Sequence, residues 1–79
     1  MADLTVYITS WCGFCRRLKL QLDDAGIAYR EIDIEREPDS ASFVEQANGG
    51  DRTVPLVLYS DETTATNPSF AEVKAKIAA

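Results

Sequence analysis

Polar and apolar residues alternate from Leu4 to Thr9, with Leu4, Val6 and Ile8 on one face and Thr5, Tyr7 and Thr9 on the other, so the first element is a strand. Tyr7 keeps the second face semi-apolar. The period then changes to that of a helix. Phe14, Leu18, Leu22 and Ala25 recur at helical spacing while Arg17, Lys19, Asp23 and Asp24 fall elsewhere, which predicts a helix from Cys12 or Gly13 to about Ala25, stopped by Gly26. Alternation returns from Tyr29 to Ile34, with Ile32 and Ile34 on one face, and ends at the turn-like Glu35-Arg36-Glu37-Pro38. Pro38 suits the first position of a second helix that buries Phe43, Val44 and Ala47 and stops at Asn48-Gly49-Gly50. A third strand covers Val54 to Tyr59, entered through a proline that offers no ladder donor. A short fourth strand lies near Thr63 to Thr66. Asn67 then caps a last helix with Pro68 at its first position and Phe70, Val73 and Ile77 as its buried stripe.

The order β-α-β-α-β-β-α contains no repeat, linker or low-complexity tract. The first strand, helix and second strand form a right-handed crossover between parallel strands, and the last two strands are antiparallel. The expected fold is therefore α/β, a four-stranded mixed sheet flanked by three helices on its two faces, an arrangement of thioredoxin type.

Seventy-nine residues leave room for one domain spanning 1–79, and a chain of this size buries only roughly 60–65% of the surface exposed when unfolded. With 46% hydrophobic and 27% charged residues the composition is that of an ordinary globular protein. No stretch reaches the roughly 20 apolar residues of a membrane span, and Met1-Ala2-Asp3 lacks the basic flank and apolar core of a leader, so a cytoplasmic location is expected. Eight basic against thirteen acidic residues give a net charge of -5, which repels nucleic acid and anionic membranes. The local exception is Arg16-Arg17-x-Lys19.

That basic run adjoins the one constellation equipped for covalent chemistry. Cys12-Gly13-Phe14-Cys15 holds both cysteines of a chain without histidine, and it sits at the strand-to-helix junction. A helix N-terminus presents unsatisfied N–H groups and partial positive charge, which stabilise a thiolate. Cys12 is placed there as nucleophile, with Cys15 one turn further in and more buried as the resolving thiol. Two cysteines and no histidine do not complete a zinc site. Val54-Pro55 is a second mark, because a proline opening a strand is where a cis peptide can expose backbone groups to an extended substrate. Trp11 and Phe14 are either a rim for a disulfide substrate or cover for the helix start.

Trp11-Cys12-Gly13-Phe14-Cys15 followed by Thr53-Val54-Pro55 in this order of elements resembles the glutaredoxins over nearly the whole chain. The run Asn48-Gly49-Gly50-Asp51-Arg52-Thr53-Val54-Pro55, with Ala65-Thr66-Asn67-Pro68 and Val73-Lys74-Ala75-Lys76, is similar to the mycoredoxin branch, which works with mycothiol in place of glutathione. Glutaredoxins commonly carry a lysine before the motif, a proline-aromatic pair within it and a Gly-Gly-Asp turn before the last helix. Here those places hold Thr9, Gly13-Phe14 and Thr66-Asn67-Pro68. Mycothiol presents a largely neutral pseudodisaccharide without a free carboxylate, which hydroxyl and amide groups such as Thr66 and Asn67 suit.

The resemblance implies a thiol-disulfide oxidoreductase in which Cys12 attacks the mixed disulfide of a mycothiolated target and takes up the mycothiol. A second mycothiol releases it, or Cys15 closes an intramolecular disulfide. Substrate contacts are implied at Trp11 and Phe14, at Arg52, Thr53, Val54 and Pro55, and at Thr66 and Asn67. Mycothiol is then co-substrate, mycothiolated proteins are partners, no metal or other cofactor is tightly bound, and the protein acts as a monomer. Two other readings stay open: an electron donor reduced directly by thioredoxin reductase, because Trp11-Cys12-Gly13 resembles thioredoxin, and an iron-sulfur module using Cys12 from each of two chains.

Overall fold

In the computed structural model, which describes residues 4–78, the opening alternation forms β1 (Leu4–Ile8), and Thr9 lies just past it. The Met1-Ala2-Asp3 start, read above for its lack of a leader, falls outside the described residues. The elements that follow are α1 (Gly13–Asp24), β2 (Arg30–Asp33), α2 (Pro38–Ala47), β3 (Leu56–Tyr59), β4 (Thr64–Thr66) and α3 (Phe70–Ala78). They build a thioredoxin-like fold around one four-stranded sheet in the order β2-β1-β3-β4. β1 runs parallel to β2 with Tyr7 opposite Ile32, antiparallel to β3 with Val6 opposite Val57, and β3 pairs antiparallel with β4.

The central strand β1 is buried on both faces, which is why its alternation is incomplete. Tyr7 meets Phe43 of α2, ring centroids 5.2 Å apart and tilted by 35°. Val6 and Ile8 point the other way and are buried as well, in one core with residues of α1 and α3, which touch one another. Leu18 and Leu22 of α1, Val44 of α2, Leu56 and Val57 of β3 and Val73 of α3 complete the core. Among the described residues no helix is long and apolar enough to cross a membrane.

Helix ends follow local chemistry. At the end of α1, Gly26 takes φ +70°, its N–H bonds Asp23 O and the Ile27 N–H bonds Leu22 O, the paired bonds of a Schellman stop. Gly49 (φ +78°) does the same for α2, with Gly49 N–H on Gln46 O and Gly50 N–H on Glu45 O. Both positions need a left-handed backbone that glycine adopts without a side-chain penalty.

Several expectations require correction. Ala25 is exposed, and the buried stripe of α1 is Cys15, Leu18 and Leu22; Phe14, in line with that stripe but left open above between rim and cover, is exposed as well. In α2, Ala41 is buried with Val44 whereas Ala47, in the last turn, is exposed. Ile77, near the end of α3, is 40% exposed. Strand pairing in β3 begins at Leu56, because Pro55 has no N–H to donate. α3 begins at Phe70, and its cap is Ser69: the Glu72 N–H donates to Ser69 Oγ at 3.1 Å and the Val73 N–H to Ser69 O at 3.1 Å. Asn67 takes φ +47° and Pro68 is buried before the helix starts. The missed signal was Ser69-x-x-Glu72, the sequence of a capping box.

Candidate active site

β1 delivers the chain to the sheet end where Thr9 turns it: the Cys12 N–H reaches back to Thr9 O at 3.4 Å, and α1 starts at the next residue. Cys12 is the N-cap of α1, extended at φ -81°, ψ 112°. A cap side chain normally offers oxygen to the first free N–H groups of the helix. Here sulfur does so, accepting the Cys15 N–H at 3.1 Å. The Cys12 thiol also faces the Val54 carbonyl, to which it donates at 3.7 Å. One sulfur thus joins the first turn of α1 to the segment preceding β3, and an N–H directed at it suits a thiolate.

The two thiols are unequal. Both are free, with Cys12 8% exposed and Cys15 1% exposed within the core. Burial first, and then the hydrogen bond with Cys12, pushes the Cys15 thiol up to about 12. Cys15 is therefore held protonated at neutral pH.

The surrounding residues fall on two sides. Trp11 is 72% exposed, its indole N–H donating to Glu35 Oε2 at 3.2 Å, while the Glu35 N–H is fixed by Asp33 Oδ1 at 2.9 Å. The β2–α2 connection thereby orients the ring beside Cys12. Thr53, Val54 and Pro55 run past the sulfur with a cis Val54–Pro55 bond. The Thr53 N–H donates to Asp51 Oδ1 at 2.9 Å, and the bonds from Thr53 hold the Asp51 carboxyl below its ordinary value. Pro55 O accepts the Asn67 N–H at 2.7 Å, which brings the turn before α3 alongside.

Of the other sequence candidates, the Arg52 guanidinium pairs with Glu45 of α2, and the Thr66 hydroxyl donates to Asn48 Oδ1 at 2.5 Å. Asn67 is exposed on the wall of a cavity of about 520 Å³ between α1 and the start of α3, and Phe14, 64% exposed, stands on the α1 side of that cavity. Sequence reasoning passed over Asn48 as a helix stop. Its Nδ2 donates to Thr53 O at 2.9 Å and to Asp51 O at 3.3 Å while its Oδ1 holds Thr66, so one amide clamps the 51–53 loop to β4. An Asn at a helix C-cap followed by two glycines was the available signal. Thr9 ends the first strand's second, semi-apolar face in the sequence pattern. It is buried, and among the described residues its hydroxyl has no hydrogen-bond partner. No group of three metal-ligating side chains occurs among the described residues.

A strand-to-helix dithiol of this geometry, on a thioredoxin-like sheet, defines a thiol-disulfide redox protein. The Glutaredoxin family profile matches residues 4–63, and the chain belongs to that family as a glutaredoxin-type thiol oxidoreductase. It is 47% identical over 79 residues to Mycoredoxin 1 of Corynebacterium glutamicum, covering 100% of this chain and 98% of that protein. A Mycobacterium tuberculosis protein with a provisional glutaredoxin name is 57% identical over 76 residues, 96% of this chain and 90% of its own length. Among solved structures, the glutaredoxin of Archaeoglobus fulgidus superposes with a TM-score of 0.81 at 24% identity, covering 100% of this chain and 89% of that one, a likeness of fold.

Proposed function

We propose that the protein reduces mixed disulfides between mycothiol and protein or small-molecule thiols. Cys12, as thiolate, attacks the mycothiol sulfur of the mixed disulfide. A Cys12–mycothiol S–S bond forms, the target S–S bond breaks, and the target sulfur leaves with the electron pair and takes a proton. A second mycothiol thiolate then attacks the mycothiol sulfur of that adduct, releasing oxidised mycothiol and returning Cys12 reduced. The observation carrying the proposal is the Cys12 sulfur at the α1 N-cap with the Cys15 N–H upon it, in a chain similar to Mycoredoxin 1 over its full length.

Burial of Cys15 and its raised thiol value favour release by the second mycothiol over resolution by Cys15. Neutral Thr9, Thr66 and Asn67, where glutathione-dependent relatives place charge for carboxylates, favour mycothiol over glutathione. In this reading residues 1–79 act as one domain and one monomer in the cytoplasm, with no tightly bound cofactor. Trp11, Val54 and Pro55 border the sulfur on which the substrate is carried, and Phe14 and Asn67 border the cavity beside it.

The test is the Cys15→Ser protein incubated with oxidised mycothiol and, separately, oxidised glutathione, followed by mass spectrometry. A single mycothiol adduct on Cys12 is expected. Ready glutathione adduct formation with no mycothiol adduct would refute the assignment.

A further inference from the structure

Between α1 and the turn leading into α3 lies the cavity of about 520 Å³ walled by Phe14, Arg17 and Gln21 on one side and Asn67, Phe70 and Glu72 on the other. Its volume lies within the roughly 300–1,000 Å³ typical of small-molecule sites. It connects to the sulfur through the chain itself: Cys12 Sγ faces Val54 O, the next carbonyl, Pro55 O, holds the Asn67 N–H, and Asn67 is the cavity wall. Phe14, two residues along the chain from Cys12, stands on the α1 wall, so the opening lies beside the first turn of α1.

The polar groups on the two flanks of the site differ in availability. On the other flank Asn48 is fully engaged, Arg52 is paired with Glu45 and Thr66 is bonded to Asn48. On the cavity flank, among the described residues, no hydrogen bond or ion pair engages the side chains of Arg17, Gln21 or Asn67. The lining combines one cation, one anion, two amides and two phenyl rings. Such a set has no net charge, carries both donors and acceptors, and offers apolar faces. It is poorly matched to a carboxylate beside Glu72 and well matched to a neutral polyhydroxylated ring pair. Arg17 belongs to the basic run that stands out in an acidic sequence, and Phe14 lies exposed on the cavity wall.

We propose that this α1–α3 cavity receives the pseudodisaccharide of mycothiol when its sulfur is bonded to Cys12, with Arg17 and Gln21 hydrogen-bonding its hydroxyls. The inference rests on the mycothiol reading above. Its test compares kcat/KM on one peptide carried as a mycothiol, an N-acetylcysteine or a glutathione mixed disulfide, for the unaltered protein, Arg17→Ala and Gln21→Ala.

The unaltered protein should prefer the mycothiol disulfide, and each variant should lose about three- to tenfold on that substrate alone, the effect of one hydrogen bond to a neutral partner. An effect of Arg17 on the sulfur itself would lower the N-acetylcysteine rate equally and would overturn the cavity role. An undiminished mycothiol preference in both variants would also overturn it while leaving the proposed function intact. An unaltered protein without any mycothiol preference would remove the function and the cavity role together. Independently of variant folding, amide NMR shifts between the Cys15→Ser protein and its mycothiol adduct should cluster at Gln21, Phe70 and Glu72. Clustering at residues 45–53 would refute the proposal.

Discussion

Replacing Asn48 by alanine removes the only side chain that ties α2, the loop bordering the Cys12 sulfur and β4 together among the described residues. Three hydrogen bonds disappear: those to Thr53 O (2.9 Å) and Asp51 O (3.3 Å), and the one received from Thr66 (2.5 Å). At a net value of roughly 0.5–1.5 kcal/mol each they would sum to about 3 kcal/mol. Asn48 is only half-buried, however, so water reaches the released carbonyls and the expected loss is about 1–2 kcal/mol. For a domain of this size that lowers Tm by roughly 4–16 °C. The functional effect follows from the next peptide. Thr53 O is anchored by Asn48, and Val54 O is the partner of the Cys12 thiol, so under the proposed function kcat/KM on a mycothiolated peptide should fall about tenfold, equivalent to roughly 1.4 kcal/mol of misplacement.

Asn48→Asp separates the two halves of the clamp. It can still accept from Thr66 but sets a carboxylate against two carbonyls, so at neutral pH it should be at least as damaging as alanine, with partial recovery on acidification. Thermal unfolding by circular dichroism and steady-state turnover measure both effects. Melting within about 1 °C of the unaltered protein, with unchanged kcat/KM in both variants, would refute the clamp.

Two further outcomes are expected. Ser69→Ala, which leaves the Glu72 N–H without its cap, should lose about 1 kcal/mol, and Ser69→Asp should retain most of the stability in the same unfolding assay; equal losses would refute the capping role. The Cys15 thiol is raised from an ordinary 9.0 to about 12 by burial and by Cys12. Below pH 9 both folded and unfolded chains hold this proton, whereas between pH 9 and about 12 only the unfolded chain releases it, so stability falls with rising pH in that window. Tyr29, also raised to about 12, chiefly by burial, acts in the same direction whatever residue stands at 15. Urea midpoints at pH 8 and 10.5 should therefore drop further for the unaltered protein than for Cys15→Ala, and parallel drops would refute the assignment.

Element order and type were legible because each rests on local chemistry: the alternation of β1, the Pro38 start of α2, and the glycines that stop α1 and α2. The dithiol and the proline beside it were legible for the same reason. What could not be read depends on which surface a neighbour happens to cover. Phe14 and Cys15 are adjacent on α1, and periodicity alone assigns either one to the core; packing chose the smaller sulfur and left the ring at a cavity wall. Asn67 and Ser69 are both ordinary capping residues. The bond from Asn67 N–H to Pro55 O fixes Asn67 in the turn and leaves Ser69 to cap α3. Asn48-Gly49-Gly50 marked only a helix end; the clamp's partners lie at positions 51, 53 and 66 in a loop and a strand, which that local signal does not name.

The Cys12 sulfur caps α1 and is, in the proposed function, also the reactive atom, so helix stability and electron affinity are linked there through one thermodynamic cycle. Any interaction stronger with the reduced sulfur than with its mixed disulfide, the Cys15 N–H bond among them, makes the reduced protein harder to unfold and the oxidised one a better oxidant by the same free energy. Each 1.4 kcal/mol of that difference corresponds to about 30 mV for a two-electron couple. The redox poise can thus be tuned from anywhere that alters the first turn of α1, without a residue touching the substrate.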